Sequence, residues 1–191
     1  METKVKDNRL LERAIGIILI LGLGAALWFT QSKPSIEGVA VETHFSPNGE
    51  CTETIVKNLD RAKRRILVQA YSFTSAPIAK AVADAHKRGI EVVVILDKSQ
   101  RTEKYSSADF LHNAGVQTFI DSSHAIAHNK IIIIDDDLVI TGSFNFTKAA
   151  EERNAENFVI LKSTSIASRY TQNWQNHRAH AVKYEGRGVK L

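Results

Sequence analysis

The sequence predicts an α/β fold, a central sheet covered by helices on both faces. Three observations carry that expectation. From Val39 onward, strand-like apolar segments alternate with segments whose apolar residues recur at helical spacing. The segment Ile90 to Leu96 (IEVVVIL) is almost continuously apolar, as a strand must be when both of its faces are buried. The 191 residues are 43% hydrophobic and 24% charged, a balance that suits one folded domain and fits neither a disordered chain nor a polytopic membrane protein.

The elements follow in order. Val39 to Phe45 is a first strand, and Cys51 to Arg64 carries Ile55, Leu59 and Ala62 on one helical face, with basic residues at the end where they complement the helix dipole. Arg65 to Tyr71 (RILVQAY) returns to strand. Ala76 to Arg88 is a helix stopped by Gly89, and Ile90 to Leu96 is the buried strand. Ser106 to Asn113 forms a helix ending before Gly115, followed by a short strand from Val116 to Ile120. Ile131 to Ile134 and Leu138 to Thr141 make an apolar hairpin around Asp136 and Asp137. A strand from Asn157 to Leu161 and a helix from about Ser165 to His177 complete the domain, and no internal repeat is visible.

Upstream of this domain the composition changes. Ala14 to Phe29 (AIGIILILGLGAALWF) is an uninterrupted apolar run preceded by Lys4, Lys6, Arg9 and Arg13. Its length of about 16 residues lies between a signal-peptide core and a membrane span of about 20. Residues 1–33 therefore read as an export signal or a retained membrane anchor with the start of a linker, residues 34–38 as linker, and 39–191 as the folded domain. The positive-inside rule leaves the N-terminus in the cytoplasm and the domain outside, so the expected location is periplasmic or exported, with 14–29 as an inner-membrane anchor if they are retained.

Charge and cysteine content narrow the chemistry. Residues 1–33 carry five Lys/Arg against three Asp/Glu, which leaves the rest with 20 against 18, close to +2. That excess permits a polyanionic partner through local basic patches without requiring one. The lone Cys51 excludes an intrachain disulfide and a cysteine-based metal site; lying near a helix start with no histidine pattern, it reads as structural.

The segment His128 to Asn145, HNKIIIIDDDLVITGSFN, concentrates chemistry. Alternate residues of a strand share a face, so His128 and Lys130 project together, an imidazole beside an ammonium. After the turn the chain comes back antiparallel and delivers Gly142, Ser143 and Asn145 to the same end, where a hydroxyl and a carboxamide can donate to phosphate oxygens. Taken singly, each residue has an ordinary explanation as a solvated charge, an exposed imidazole or a turn residue. The fixed spacing over eighteen positions outweighs those explanations.

The spacing HxK, four residues, D, six residues, GSxN resembles the signature of the phospholipase D superfamily without a departure. The flanking text AYSFTS and GSFNFTKAAEERNAEN is similar to the small bacterial endonucleases of that superfamily that carry one motif per chain, over roughly Val39 to His180. The resemblance implies a phospholipase D-like mixed sheet with helices on both faces. It implies a catalytic set of His128, Lys130, Asp135 and Glu156, with Asp135 holding the motif through hydrogen bonds and Glu156 in the place of the accessory glutamate. It gives Lys130, Ser143 and Asn145 the substrate phosphate, and it calls for no cofactor and no metal. Of the remaining histidines, His44, His86, His112 and His124 read as loop residues, and His177 with His180 as a solvent-exposed pair on a polar terminal helix rather than metal ligands.

In-line displacement at phosphorus places the attacking group and the leaving oxygen on opposite faces, so one imidazole cannot serve both. The superfamily uses two motif copies. With one copy here, the resemblance implies a twofold homodimer with two His128 side chains across one phosphate. The motif identifies the bond rather than the molecule. Nucleic acid is the expected substrate, with Lys63, Arg64, Arg65, Lys148 and Arg153 as candidate backbone contacts. Phospholipid is the alternative, by similarity to the mitochondrial cardiolipin-hydrolase branch; that branch carries a Cys/His zinc element that a single cysteine cannot supply.

Overall fold

The structure, a computed structural model, describes residues 38–187. The apolar run Ala14 to Phe29 and nearly all of the linker lie outside the described residues, and among those described no helix is long and apolar enough to cross a membrane. The elements in chain order are β1 (Ala40–Ser46), α1 (Cys51–Asp60), β2 (Arg65–Ala70), α2 (Ala76–Lys87), β3 (Glu91–Asp97), a 3-10 turn (Lys98–Arg101), α3 (Ala108–Asn113), β4 (Gln117–Asp121), β5 (Lys130–Ile134), β6 (Leu138–Gly142), α4 (Lys148–Glu152), β7 (Glu156–Lys162), α5 (Thr164–His180) and β8 (Val182–Lys183).

One eight-stranded sheet has the order β1-β7-β6-β5-β2-β3-β4-β8. β2, β3 and β4 run parallel, joined through α2 and α3, and every other pairing is antiparallel, so the sheet is mixed. The period of two along each strand divides the core. Ile66, Val68, Val94, Ile132, Ile134 and Phe158 face α1, α2 and α3, which contribute Ile55, Leu59, Ile78, Val82 and Leu111. Leu67, Val93, Ile95, Ile131, Ile133 and Val139 face α5, which contributes Ala167 and Trp174. The strands at the centre of the sheet are apolar on both faces because both are covered. Trp174 also donates its indole N–H to the Val68 carbonyl at 3.0 Å, which fixes where α5 crosses the sheet.

The sequence places α1 four residues too far and α5 three residues too short. The helical periodicity continues to Ala62, but the backbone N–H groups of Lys63, Arg64 and Arg65 are taken by the Asp135 carboxylate at 2.7 to 3.2 Å, which pulls the chain out of the helix and into β2. At its other end α5 starts on Ser163, whose hydroxyl accepts from the Ile166 N–H, and runs to His180. The short α4 and β8 escape periodicity altogether; α4 is a single turn set by its cap, the Thr147 hydroxyl accepting from the Ala150 N–H at 3.1 Å.

Asp135 lies beyond the end of β5 remote from Lys130, about 17 Å along the strand. Asp135 and Asp136 both have positive φ, 52° and 67°, and the Asp137 N–H closes the turn on the Ile134 carbonyl, a type I′ geometry that asparagine and aspartate tolerate. Asp135 is thus a clamp on the far end of the hairpin, and its grouping with the catalytic residues is corrected. Burial raises its pKa, but the N–H groups of Arg65, Lys63 and Arg64 and the Arg64 charge outweigh this, leaving the carboxyl below its usual range. Its folded pKa being depressed, its stabilisation is complete above the ordinary carboxylate range and disappears as pH falls through the lowered value. Asp135→Asn keeps the turn but loses the charge, and is expected to lower unfolding free energy by about 2–3 kcal/mol at neutral pH. In urea melts the deficit should shrink toward zero in acid.

Candidate active site

Parallel and antiparallel pairings together bring one end of each strand to a single edge. Ser46, Ala70, Asp97, Asp121, Lys130, Gly142 and Glu156 all terminate or begin strands there. The motif segments meet at this edge.

His128 lies just before β5, held by the bond from the Tyr71 N–H to the Asn129 carbonyl at 2.8 Å, which extends the β2/β5 ladder by one step. Its imidazole is exposed, tilts against the Tyr71 ring at 4.6 Å, and makes no hydrogen bond among the described residues. Lys130 is the reverse case. It is 6% exposed, its stem shares a small recess with Ile55, Ile140, Phe144, Phe146 and Phe158, and its ammonium donates to the His128 carbonyl at 2.8 Å. The ammonium also lies 5.2 Å from the Tyr71 ring centroid. Burial holds its pKa below the usual lysine range, opposed by the Glu156 charge. Tyr71 thus buttresses both motif side chains. The motif spacing gives it no role; the signal that could have found it is an aromatic at the end of a strand paired with the motif strand.

Gly142 closes β6 where the chain passes β7. A Cβ there would come within 2.3 Å of the Asn157 carbonyl oxygen and 2.6 Å of the Phe158 Cα, so glycine is required by backbone proximity. This approach delivers Ser143, whose hydroxyl donates to Glu156 at 2.6 Å and accepts from the Asn157 N–H at 3.1 Å. Glu156 also accepts from the Asn154 carboxamide at 3.1 Å. Glu156 therefore positions Ser143, and among the described residues it makes no bond to the His128 ring of its own chain. Among the described residues the buried Asn145 carboxamide oxygen has no hydrogen-bond partner.

The structure brings His128, Lys130, Ser143, Asn145 and Glu156 to one edge and leaves Asp135 at the other. Lys63, Arg64 and Arg65 go with Asp135; Arg65 pairs with Asp136, and Arg64 lies 3.4 Å from the same carboxylate. These three expected backbone contacts are thus remote from His128, because β2 starts where β5 ends. Lys148 and Arg153 flank α4, next to the motif, and stay on the exposed side. Cys51 is fully buried with its thiol pushed up to about 11, by desolvation first and Glu151 second, which leaves it inert. His44, His86 and His112 belong to β1, α2 and α3 rather than to loops. His124 does lie in a connection, between β4 and β5, but it and the pair His177 and His180 converge on Asp121.

A family model described as cardiolipin synthase, PLD-like domain, matches residues 55–178. A protein named phospholipase D from Rickettsia felis is 39% identical over 197 aligned positions, covering 92% of this chain and 98% of that one. A mitochondrial cardiolipin hydrolase from Xenopus tropicalis is 33% identical over 60% of this chain and 55% of its own length. The crystal structure of Nuc, a phospholipase D family member from Salmonella typhimurium, superposes with a TM-score of 0.74 at 36% identity, covering 76% of this chain and 98% of Nuc.

Proposed function

The chain belongs to the phospholipase D superfamily, with one motif copy per chain, and is a hydrolase of phosphodiester bonds; from that premise we propose that it is a low-specificity endonuclease acting on DNA, and RNA as a second polymer, through a phosphohistidine in a homodimeric site. The observation that carries this is the state of His128. One exposed imidazole with no hydrogen bond, set beside a buried ammonium, is free to meet a phosphate but can occupy only one face of it.

A second chain related by a twofold axis supplies the other face. One His128, neutral, attacks phosphorus as the P–O bond to the leaving alcohol breaks. The partner copy, protonated, gives its proton to that oxygen. It then takes a proton from water, whose oxygen attacks phosphorus and releases the first imidazole. Two sets of Lys130 and Asn145 donate to the phosphoryl oxygens and offset the developing charge, the work a divalent ion does in other phosphodiesterases, and each Ser143 joins them by turning its one hydroxyl proton from Glu156 to the phosphate. The nuclease reading draws on the likeness to Nuc and on Lys148 and Arg153 beside the motif. A nuclease without base preference is also best kept outside the cell, in keeping with an export signal or inner-membrane anchor at 14–29. The relatives named phospholipase D and cardiolipin hydrolase support a second reading, a lipid hydrolase at the membrane.

The test is to incubate the chain with supercoiled plasmid and, separately, with cardiolipin vesicles, both in excess EDTA and well below the melting temperature of the chelated protein. Nicking of plasmid with intact lipid is expected. Lipid turnover without DNA cleavage would reverse the two readings, and silence on both substrates in EDTA, restored by a divalent ion, would refute the metal-free mechanism.

A further inference from the structure

Three imidazoles crowd one buried carboxylate oxygen at the end of β4. Asp121 is 0% exposed, and its Oδ2 lies 2.8 Å from His177 Nδ1, 3.0 Å from His124 Nδ1 and 3.2 Å from His180 Nε2. One ligand atom from each of the four residues falls within 4.8 Å of the other three. The rings lie tilted or edge-on to one another, with centroids 4.8 Å apart for His124 and His177, 5.2 Å for His124 and His180, and 5.5 Å for His177 and His180.

Hydrogen bonding alone accounts poorly for this arrangement. A carboxylate oxygen offers about two lone-pair directions, and three ring nitrogens converge on Oδ2, with His124 Nδ1 straddling to Oδ1 at 3.2 Å, where the Ser123 N–H is already accepted at 3.0 Å. A tetrahedral ion with bonds of 2.0–2.1 Å holds its ligand atoms about 3.3 Å apart, close to the three carboxylate-to-nitrogen distances, while the four ligand atoms as a set lie within 4.8 Å of one another, so the nitrogens would close on an ion. The donor set is three imidazole nitrogens and one carboxylate oxygen, which suits a first-row divalent ion such as zinc rather than magnesium or calcium. The spacing is also the one that chain geometry favours: His177 and His180 are three apart on one face of α5, and Asp121 and His124 are three apart where β4 turns.

We propose that Asp121, His124, His177 and His180 bind one divalent transition-metal ion, zinc for preference, as a structural site that ties the connection leading to His128 onto α5. Four protein ligands complete a tetrahedron and leave no open position for substrate. β3 and β2 separate β4 from β5, so the ion would stand about 14 Å across the sheet from the motif strand. Its effect would pass through residues 122–127, which already hang on the sheet through the Ser123 N–H and the His124 ring on Asp121, through the Ala127 N–H to the buried Asp97 carboxylate at 2.7 Å, and through the Lys98 ammonium to the His124 carbonyl at 2.9 Å. The ion adds a tether from His124 to the last two turns of α5. The site stands independently of the nuclease reading.

The experiment uses the untagged 191-residue chain, stripped by chelator and titrated with zinc by calorimetry and by competition with a chromogenic chelator. One zinc per chain is expected, with a higher melting temperature on loading and, on cobalt substitution, the intense visible absorption of a tetrahedral centre. His177→Ala should weaken binding by more than about 100-fold, since even partners behind the ligands cost 10 to 100. Asp121→Asn removes the buried anion that three ring nitrogens and the Ser123 N–H share and can unfold the chain, so His124→Ala, on an exposed connection, is the second variant. It should abolish the thermal shift while the protein stays folded. Zinc binding below one tenth stoichiometry, undiminished binding in both histidine variants, or an octahedral cobalt spectrum would overturn the site. Hydrolysis that is lost on chelation below the melting temperature and restored by zinc would overturn its structural role.

Discussion

Replacing His128 by alanine is expected to reduce phosphodiester hydrolysis by about 10⁴-fold or more, because one substitution removes both the nucleophile and the general acid of a shared site. The ring is exposed and makes no hydrogen bond among the described residues, so stability should scarcely change, and urea midpoints of variant and parent should coincide. The stronger test is a mixture. When parent and His128→Ala chains are allowed to exchange partners, a site needing both imidazoles loses activity as the square of the parent fraction. A linear fall would mean that each chain is complete by itself, which is incompatible with the twofold mechanism.

Lys130→Met is expected to lower kcat by about 10²–10³-fold while leaving the fold intact, since it removes a donor aimed at developing charge but keeps an apolar stem of similar length. That stem lies in a recess lined by Phe144, Phe146 and Phe158, where alanine would leave a cavity, and for this reason methionine is the informative replacement. The parent's pH profile supplies a second measurement. Burial lowers the Lys130 pKa, against the opposing Glu156 charge, so the ammonium is lost at lower pH than an ordinary lysine would lose it. The part of the alkaline limb of kcat/KM that Lys130 contributes should therefore fall below the usual lysine range and be missing in Lys130→Met. An unchanged alkaline limb would show that Lys130 does not carry the charge that matters.

Much of the site is legible in the order of residues along the chain. Strand periodicity places His128 and Lys130 on one strand and Gly142, Ser143 and Asn145 on its return, and the hairpin is found with Ile131 opposite Thr141 and Ile134 opposite Leu138. The partners of these residues are not legible there. Tyr71 reaches His128 and Lys130 through the pairing of β2 with β5, strands some sixty residues apart in the chain. Resemblance puts Glu156 near the site, but its bond to Ser143 depends on the close approach of β6 and β7 that Gly142 permits.

The bond class and the architecture were both legible along the chain. The first came through the family resemblance that six motif residues at fixed intervals carry, the second through a period of two alternating with a helical one. Chain folding alone gathers Asp135, Lys63, Arg64 and Arg65 at the edge opposite His128, and brings His177 and His180, read as an exposed pair, to Asp121 from 56 and 59 residues away. The reason is physical. A strand sends its two ends to opposite edges of a sheet, and strand order, which no local pattern encodes, chooses which ends become neighbours.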